Sequence, residues 1–291
     1  MNLRLIGRRD KPIQDAFAGI DTDIVVADLE TVEGARQAMQ GASVAIMCVG
    51  LPYTQFNRYP SLMRTIVQAA EQAAVKRFVL LTNIYPYGRP QTEIVLETHP
   101  RNPHTFKGQM RLEQENILLA SSLDWIVLGL PDFFGPDAEL SHARLIMEAA
   151  LAGKSADLFA PATTPHQFVY TPDVGPIVAD LLALDHGWRE VYHFAGSGLI
   201  SLEEFTREIF FAVGKPPKIR LARTWMVWLM GLFSPLMREL VELMYLYETP
   251  VILSDAKLEG LIGKLHRTSY DEGITKSLER MRAKPFAPMP K

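Results

Sequence analysis

The stretch HTFKGQMRLEQENIL, from His104 to Leu118, decides the fold because it has the pattern of a helix set between two strands. The segment RFVLLTN, from Arg77, precedes it, and WIVLGLPDFFGP, from Trp125, follows it. Both segments are continuous apolar runs bounded by turn residues, which is typical of strands buried on both faces of a parallel sheet. The helix between them is therefore predicted to be a crossover connection.

Ligands of open parallel sheets bind in the crevice at the carboxyl ends of the strands. The residues expected at this crevice come from both strand ends and from the helix: Thr82, Asn83, Pro131, Asp132, Lys107 and Arg111. Lys107 and Arg111 are four residues apart and project from one helix face, which suggests an anionic or polarised ligand. The alternative is that both cations are solvated or pair with Glu113 and Glu115.

The rest of the chain alternates strands and helices up to about Ser201, after which it is helical with proline-marked turns. Further strands are predicted to start at Leu3, Asp23, Ser43, His166 and Glu190, and further helices at Thr31, Tyr59, Glu139 (closed by Gly153) and Ser201. This order indicates an α/β fold, a doubly wound, mostly parallel sheet with a smaller, mainly helical C-terminal lobe. The expected domains are 1–200, Rossmann-like and dinucleotide-binding, and 201–291, a helical substrate lobe.

Composition excludes several classes of protein. With 291 residues, 48% hydrophobic and 22% charged, the chain is typical of a soluble globular protein. A net charge of -3 without a basic block argues against a nucleic-acid partner. The single cysteine, Cys48, is expected to be a small buried hydrophobe in a reducing cytoplasm. No HExxH or CxxC spacing is present, so no metal is predicted.

The most apolar stretch, Trp225 to Met237, is too short for a membrane span, which needs roughly 20 apolar residues. We therefore predict no membrane span. The stretch is expected to line a pocket, a core or a dimer contact.

Several motifs, each at the end of a predicted strand, together resemble one family. They are the arginine pair after the first strand, VADLE, CVG, TNIYPYG, KGQMRLEQE, PDFFGP and VYTPDVG. In this order they resemble the atypical, extended short-chain dehydrogenase/reductase superfamily, in its group of NAD-dependent epimerase/dehydratase-like proteins. The resemblance implies a Rossmann fold, a nicotinamide cofactor and a small-molecule substrate. It is also compatible with a homodimer, because helices that flank such sheets often pair in the family.

The resemblance implies a cofactor site and its preference. Arg8 and Arg9 stand where the family distinguishes its cofactors, and arginine suits a 2′-phosphate, so NADP is expected, with NAD as the alternative. The competing interpretation is a surface arginine pair. The other implied cofactor contacts are Asp28, Leu29, Gly50, Leu51, Pro52, Pro131, Asp132 and Phe133.

The sequence departs from the family at the catalytic motif. Where the family has YxxxK, this chain has Lys107 and Arg111, so the usual tyrosine proton donor is absent. Tyr85 and Tyr87 are the nearest replacements, and a tyrosine beside two cations is expected to have a lowered pKa and to act as acid or base. Alternatively, both rings only pack a turn. Thr82 and Asn83 stand where the family's catalytic Ser/Thr orients the substrate.

A second departure is the absence of the N-terminal strand and glycine-rich turn that bind the pyrophosphate in the family. Roughly 25 to 30 residues would be missing, from the sheet centre between the LRLIG and SVAIMCVG strands. We expect exposed apolar sheet edges there. Shortening of a longer protein is favoured over a partner or a rearranged sheet that fills the gap.

The sequence thus predicts an NAD(P)-dependent oxidoreductase or epimerase/dehydratase-like protein of the cytoplasm. Its substrate is expected to be small and partly apolar, because Met, Trp, Phe and Leu are abundant in the Trp225–Tyr247 lobe. The alternative from another class is a non-catalytic NADP(H)-sensing or scaffold protein of the same fold. A third interpretation is a chain that binds no dinucleotide.

Overall fold

The computed structural model describes residues 2–139 and 141–283. Its strands are β1 (Arg4–Gly7), β2 (Asp23–Val26), β3 (Val44–Met47), β4 (Arg77–Asn83), β5 (Asp124–Leu130), β6 (Asp132–Phe134), β7 (Ala156–Phe159), β8 (Pro165–Tyr170), β9 (Glu190–His193), β10 (Leu199–Ser201) and β11 (Ile219–Ala222). Its helices are α1 (Asp10–Ala16), α2 (Val32–Met39), α3 (Tyr59–Gln72), α4 (Phe106–Leu119), α5 (His142–Ala152), α6 (Val174–Ala183), α7 (Leu202–Ala212), α8 (Thr224–Gly231), α9 (Pro235–Val241), α10 (Tyr245–Glu248), α11 (Ala256–Ile262) and α12 (Tyr270–Ala283).

The central sheet has the order β3-β4-β5-β9 with every pair parallel. Helix α4 connects the neighbours β4 and β5, so the predicted crossover is confirmed. Phe78 and Leu80 of β4 pack into the core on one face of this sheet, whereas Val79 packs with Ile126 and Leu128 on the other. Apolar side chains on both faces explain the continuous apolar runs. The doubly wound α/β fold is therefore confirmed.

Strands β1 and β2 form a separate two-stranded parallel sheet, which pairs with no other strand of the described residues. The Nη1 of Arg4 donates to the carbonyl of Gln40, at 2.6 Å, and so ties β1 to the residues just before β3. Strand β3 is the edge of the central sheet, and its Ile46 is 42% exposed. An open apolar edge thus lies where the sequence predicted a missing strand.

Two predictions are corrected at this end of the sheet. Cys48 is exposed rather than buried, because it follows β3 at the open edge, which no strand of the described part of the chain covers. Helix α1 was not predicted. It has no buried residue, so its sequence lacks the apolar periodicity by which helices are recognised.

The predicted strand segment WIVLGLPDFFGP contains two strands, β5 and β6, divided at Pro131. Proline has no backbone N–H for the ladder, and here β6 leaves the central sheet and pairs with β8 in the order β10-β8-β6. This turn places Asp132 opposite Phe168. It also starts a second core, formed by Phe134 with side chains of α5, α7 and α12.

The region after residue 201 begins with helix α7, which has the capping box of Ser201 and Glu204. It is not helical throughout, because β11 pairs in parallel with β7. The division into domains at residue 201 remains a prediction, and residues 284–291 lie outside the described ones.

The stretch from Trp225 to Met237 forms α8, a turn and the start of α9. Its expected place in a core is wrong, since Trp225, Trp228 and Phe233 are all more than half exposed, and its place in a pocket or a dimer contact remains a prediction. Within the described ranges, no helix combines the length and the apolar character that crossing a membrane requires.

Candidate functional site

The carboxyl ends of β4 and β5 lie side by side, with Thr82 opposite Gly129. The buried Oγ1 of Thr82 donates to the carboxylate of Glu115 at 2.7 Å and accepts from Nη2 of Arg111 at 3.2 Å. Burial raises the pKa of Glu115, while Arg101 and the Thr82 hydrogen bond oppose that shift. The structure therefore joins the predicted Thr82 and Arg111 in one buried polar network.

Arg111 is held on three sides. Its guanidinium lies 4.4 Å from the centre of the Tyr59 ring, and Nη2 also reaches the carbonyl of Leu81 at 3.4 Å. The side chain is buried, at 5% exposure. Arg111 thus fixes the floor of the crevice rather than reaching out from it.

Lys107 is fully buried, and its ammonium group donates to the carboxylates of Glu239 and Glu242. The Lys107 backbone N–H also donates to Glu242, at 3.3 Å. The alternative pairing with Glu113 or Glu115 is not seen for this lysine, and Glu113 pairs with Arg64 instead. Lys107 therefore contacts a ligand only if these two carboxylates move away.

The expected lowering of the tyrosine pKa values is wrong. Tyr85 is buried, and its hydroxyl lies 3.3 Å from that of Tyr53. Burial raises the pKa of Tyr85 well above its ordinary value, and the nearby charges of Tyr53 and Asp132 raise it further. Burial likewise raises the pKa of Tyr87 to about 12, although Arg101 opposes the shift. Both phenols therefore remain protonated near neutral pH and are suited to donate a hydrogen bond.

Tyr87 is joined to the neighbouring strand β9. Its hydroxyl lies 2.5 Å from Nε2 of His193, a residue with no exposed surface. Burial is the largest cause that lowers the pKa of His193, to about 4. The ring is therefore neutral at pH 7, and its Nε2 accepts a hydrogen bond from the Tyr87 hydroxyl when Nδ1 carries the ring proton.

Asp132 lies at the turn between the two cores, beside two histidines. Burial raises the pKa of Asp132, and the charges of His166 and His142 oppose this. Burial also lowers the pKa of His142, whose Nε2 lies 3.0 Å from the carbonyl of Asp157. Two imidazole rings and one carboxyl group thus share one site, in which His166 is buried and Asp132 and His142 are half-buried.

His166 has a ring nitrogen that is available to accept a hydrogen bond. Its Nδ1 donates to the carbonyl of Thr164 at 2.8 Å, which leaves Nε2 as the acceptor. That Nε2 is buried and has no hydrogen-bond partner among the described residues. The ring lies 5.4 Å from that of Tyr247.

These side chains form a cluster that we call the tyrosine–histidine cluster, with members Tyr53, Tyr85, Asp132, His142, His166 and Tyr247. The hydroxyls of Tyr53 and Tyr85 lie 3.3 Å apart, the His166 and Tyr247 rings lie 5.4 Å apart, and burial and the Asp132 charge raise the pKa of all three phenols. The sequence singled out only Tyr85 and Asp132. The register of β6 against β8 could have identified His166, but it depends on a second sheet after Pro131, which the apolar run did not indicate.

The residues expected to contact a cofactor lie in several environments. Most of them are exposed, namely Arg8, Arg9, Asp28, Gly50, Pro52 and, at 41%, Phe133. Two are half-buried, Leu29 and Asn83, and two are buried, Leu51 and Pro131. The Asp28 carboxylate accepts from the N–H of Glu30 at 3.1 Å, and so also shapes its own turn. The Leu51 N–H donates to the Tyr59 hydroxyl at 3.0 Å. Their roles toward a cofactor remain predictions.

Gly108 sets the position of Tyr85, and replacing it tests this packing. A Cβ at Gly108 would lie 2.7 Å from the Tyr85 carbonyl oxygen, so Gly108→Ala should lower the free energy of unfolding by about 1.5 kcal/mol. The control is Gly260→Ala in α11, where a Cβ meets nothing within 4 Å and better helix propensity should leave stability equal or higher. Urea unfolding measures both. Equal effects of the two substitutions would contradict the close contact.

Comparisons with known proteins agree with this fold. The sequence model of a family described as NAD(P)H-binding matches residues 1–152. No curated protein sequence matches the chain.

Solved structures provide the second comparison. The dTDP-glucose 4,6-dehydratase DesIV from Streptomyces venezuelae, with NAD bound, is 15% identical with a TM-score of 0.79, covering 97% of this chain and 88% of that one. The Bordetella bronchiseptica enzyme WbmG with NAD is 16% identical, TM-score 0.76, covering 97% and 86%. UDP-glucuronic acid 4-epimerase from Bacillus cereus with NAD is 14% identical, TM-score 0.75, covering 94% and 85%.

At these identities the structures establish the fold, and the family model, which spans more than half of the chain, establishes the family. The predicted resemblance is confirmed in both respects. The chain has the fold of NAD-dependent epimerases and dehydratases of the short-chain dehydrogenase/reductase superfamily, and it belongs to the NAD(P)H-binding family.

Proposed function

We propose that the protein is an NADP-preferring oxidoreductase or epimerase/dehydratase-like enzyme of the cytoplasm that acts on a small, partly apolar substrate. The observation that carries this proposal is the tyrosine–histidine cluster at the strand ends of an NAD(P)-binding fold. Tyr85 has a protonated hydroxyl and His166 an acceptor nitrogen, which together provide the acid and the base that such reactions need. The homodimer remains a prediction.

The residues present fit one end of the cofactor better than the other. Arg8 and Arg9 follow β1, are exposed, and form no side-chain hydrogen bond or ion pair with described residues, so they are free for a 2′-phosphate. By contrast, residues 2–139 and 141–283 include no glycine-rich turn of the family's kind that would hold a pyrophosphate. The chain's own residues therefore favour the adenosine end, and the nicotinamide end would supply hydride transfer when bound.

The substrate would lie against the tyrosine–histidine cluster. The abundant apolar side chains of the C-terminal lobe do not support an apolar substrate, because many of them face solvent. The rings of Phe159 and Tyr247, which lie 5.1 Å apart, do support it. Two of the similar structures are named for dTDP-glucose and UDP-glucuronic acid enzymes, so nucleotide sugars are the first substrates to test.

The experiment is a titration of the chain with NADPH and NADH, followed by nicotinamide fluorescence, and then addition of candidate nucleotide sugars. A change in nicotinamide absorbance or a converted sugar supports an enzyme. Binding without turnover of any tested substrate supports the NADP(H)-sensing alternative. The pairing of the Lys107 ammonium group with two carboxylates favours this alternative, because it keeps Lys107 from a ligand. Absence of binding to either dinucleotide would overturn both.

The cofactor preference has its own test. We expect Arg8→Ala with Arg9→Ala to weaken NADPH binding about tenfold, because two charge-assisted contacts to the 2′-phosphate are lost. NADH binding should stay unchanged. Arg207→Ala is the control, since this exposed arginine pairs with Glu203 on α7. Equal loss of NADH and NADPH affinity would contradict phosphate recognition and indicate a structural role.

A further inference from the structure

Helices α8 and α9 and the turn between them present an apolar surface to solvent. Phe233 is 90% exposed, Trp225 59% and Trp228 55%. The other exposed apolar side chains of this surface are Leu229, Met230, Leu232 and Leu236. A contiguous exposed patch of this kind marks an interaction site.

The surface is built on a fixed support. In α8 only Val227 and Gly231 are buried, and a Cβ at Gly231 would lie 3.1 Å from Cα of Arg238. The two helices therefore touch closely at this glycine. The backbone that carries the aromatic side chains is held in place by this contact, while the side chains point outward.

Charge distinguishes this surface from an ordinary protein interface. Residues 225–237 contain no charged side chain, and Arg223 and Arg238 flank them at the two ends. The Arg223 side chain forms no hydrogen bond or ion pair within 2–139 and 141–283. The next acidic residues along the chain, Glu239 and Glu242, are bound to Lys107. The three cations Arg223, Arg238 and Lys107 and the two carboxylates thus leave one net positive charge beside the apolar surface.

We propose that this surface docks the protein on an anionic lipid membrane, with the α8–α9 surface lying in the interface. Tryptophan and phenylalanine beside leucine and methionine suit the boundary between headgroups and acyl chains, and flanking arginines are attracted to acidic headgroups. A second copy of the chain fits less well. A two-fold contact of this patch with itself would bring the arginines of both copies together, while the nearest acids, Glu239 and Glu242, already pair with Lys107.

The test is co-sedimentation of the whole chain with vesicles of phosphatidylcholine alone and of phosphatidylcholine mixed with phosphatidylglycerol. Binding is expected to the mixed vesicles, to weaken with salt, and to shift tryptophan emission to the blue. Trp228→Ala with Phe233→Ala should reduce partitioning at least about tenfold, because two apolar anchors are lost. Arg223→Gln should reduce it on mixed vesicles only.

The control is Phe211→Ala, at a phenylalanine of α7 that is 65% exposed outside this surface and should leave partitioning unchanged. Thermal unfolding confirms that each variant folds. If the wild-type chain stays in the supernatant with mixed vesicles, the proposal is overturned. It is also overturned if sedimentation velocity shows a dimer that Phe233→Ala dissociates while vesicles bind neither form.

Discussion

Replacing Lys107 by methionine is expected to lower the free energy of unfolding by about 3 kcal/mol. The ammonium group has no exposed surface and lies between Glu239 and Glu242, whose side chains are 30% and 24% exposed. Methionine retains most of the volume but removes the charge, so two carboxylates face each other without a cation. Urea unfolding, monitored by tryptophan fluorescence, measures the loss.

Two further variants make this prediction specific. Lys276→Met removes an exposed partner of Glu272 on α12 and should leave the free energy of unfolding nearly unchanged. Adding Glu239→Gln and Glu242→Gln to Lys107→Met should recover much of the stability, because the repulsion disappears. If the triple variant is no more stable than Lys107→Met, the loss comes from packing and the charge explanation fails.

The second large effect is a pH dependence of the free energy of unfolding, caused by His193. The unfolded state binds a proton near pKa 6.5, whereas burial lowers the folded-state pKa to about 4. Between these values the unfolded state binds more protons, so the stability due to neutral His193 is lost as pH falls. From pH 7 to pH 5 this histidine alone should cost about 2 kcal/mol.

The measurement compares denaturant unfolding of the wild type and His193→Gln at both pH values. Glutamine keeps a hydrogen-bonding side chain near Tyr87 but does not titrate, so the variant should lose about 2 kcal/mol less than the wild type. His186→Gln, at an exposed histidine, should keep the wild-type dependence. If the free energy of unfolding of His193→Gln falls between pH 7 and pH 5 as much as that of the wild type, other groups cause the acid sensitivity.

The sequence predicted the crossover and the strand ends because their signals are local. The apolar runs of β4 and β5 are continuous, and Thr105 caps α4 by accepting from the N–H of Gly108. The partners of Lys107 could not be predicted, since Glu239 is 132 residues away and its approach depends on packing of the lobe. The four-residue spacing of Lys107 and Arg111 predicted only that both lie on one face of the helix. It could not predict that carboxylates of a distant segment pack against that face.

The sequence predicted lowered pKa values for the two tyrosines, whereas the structure raises them, and the reason is related. The sequence showed two cations near Tyr85 and Tyr87 but not the depth at which the phenols lie. Desolvation is the largest cause for both, and it acts against the charged form whatever cations are nearby. Burial of a particular side chain depends on the whole fold and is not encoded in neighbouring residues.

The separate sheet of β1 and β2 has a consequence for local stability. Strand β1 is only half-buried along its length, and α1 contributes no buried side chain, so few contacts oppose the opening of residues 4–26. Amide hydrogens there should exchange through sub-global opening, well before those of β4 and β5. Arg8 and Arg9 lie in this unit. A dinucleotide bound by them would slow that exchange, and part of its binding energy would be spent on closing the unit.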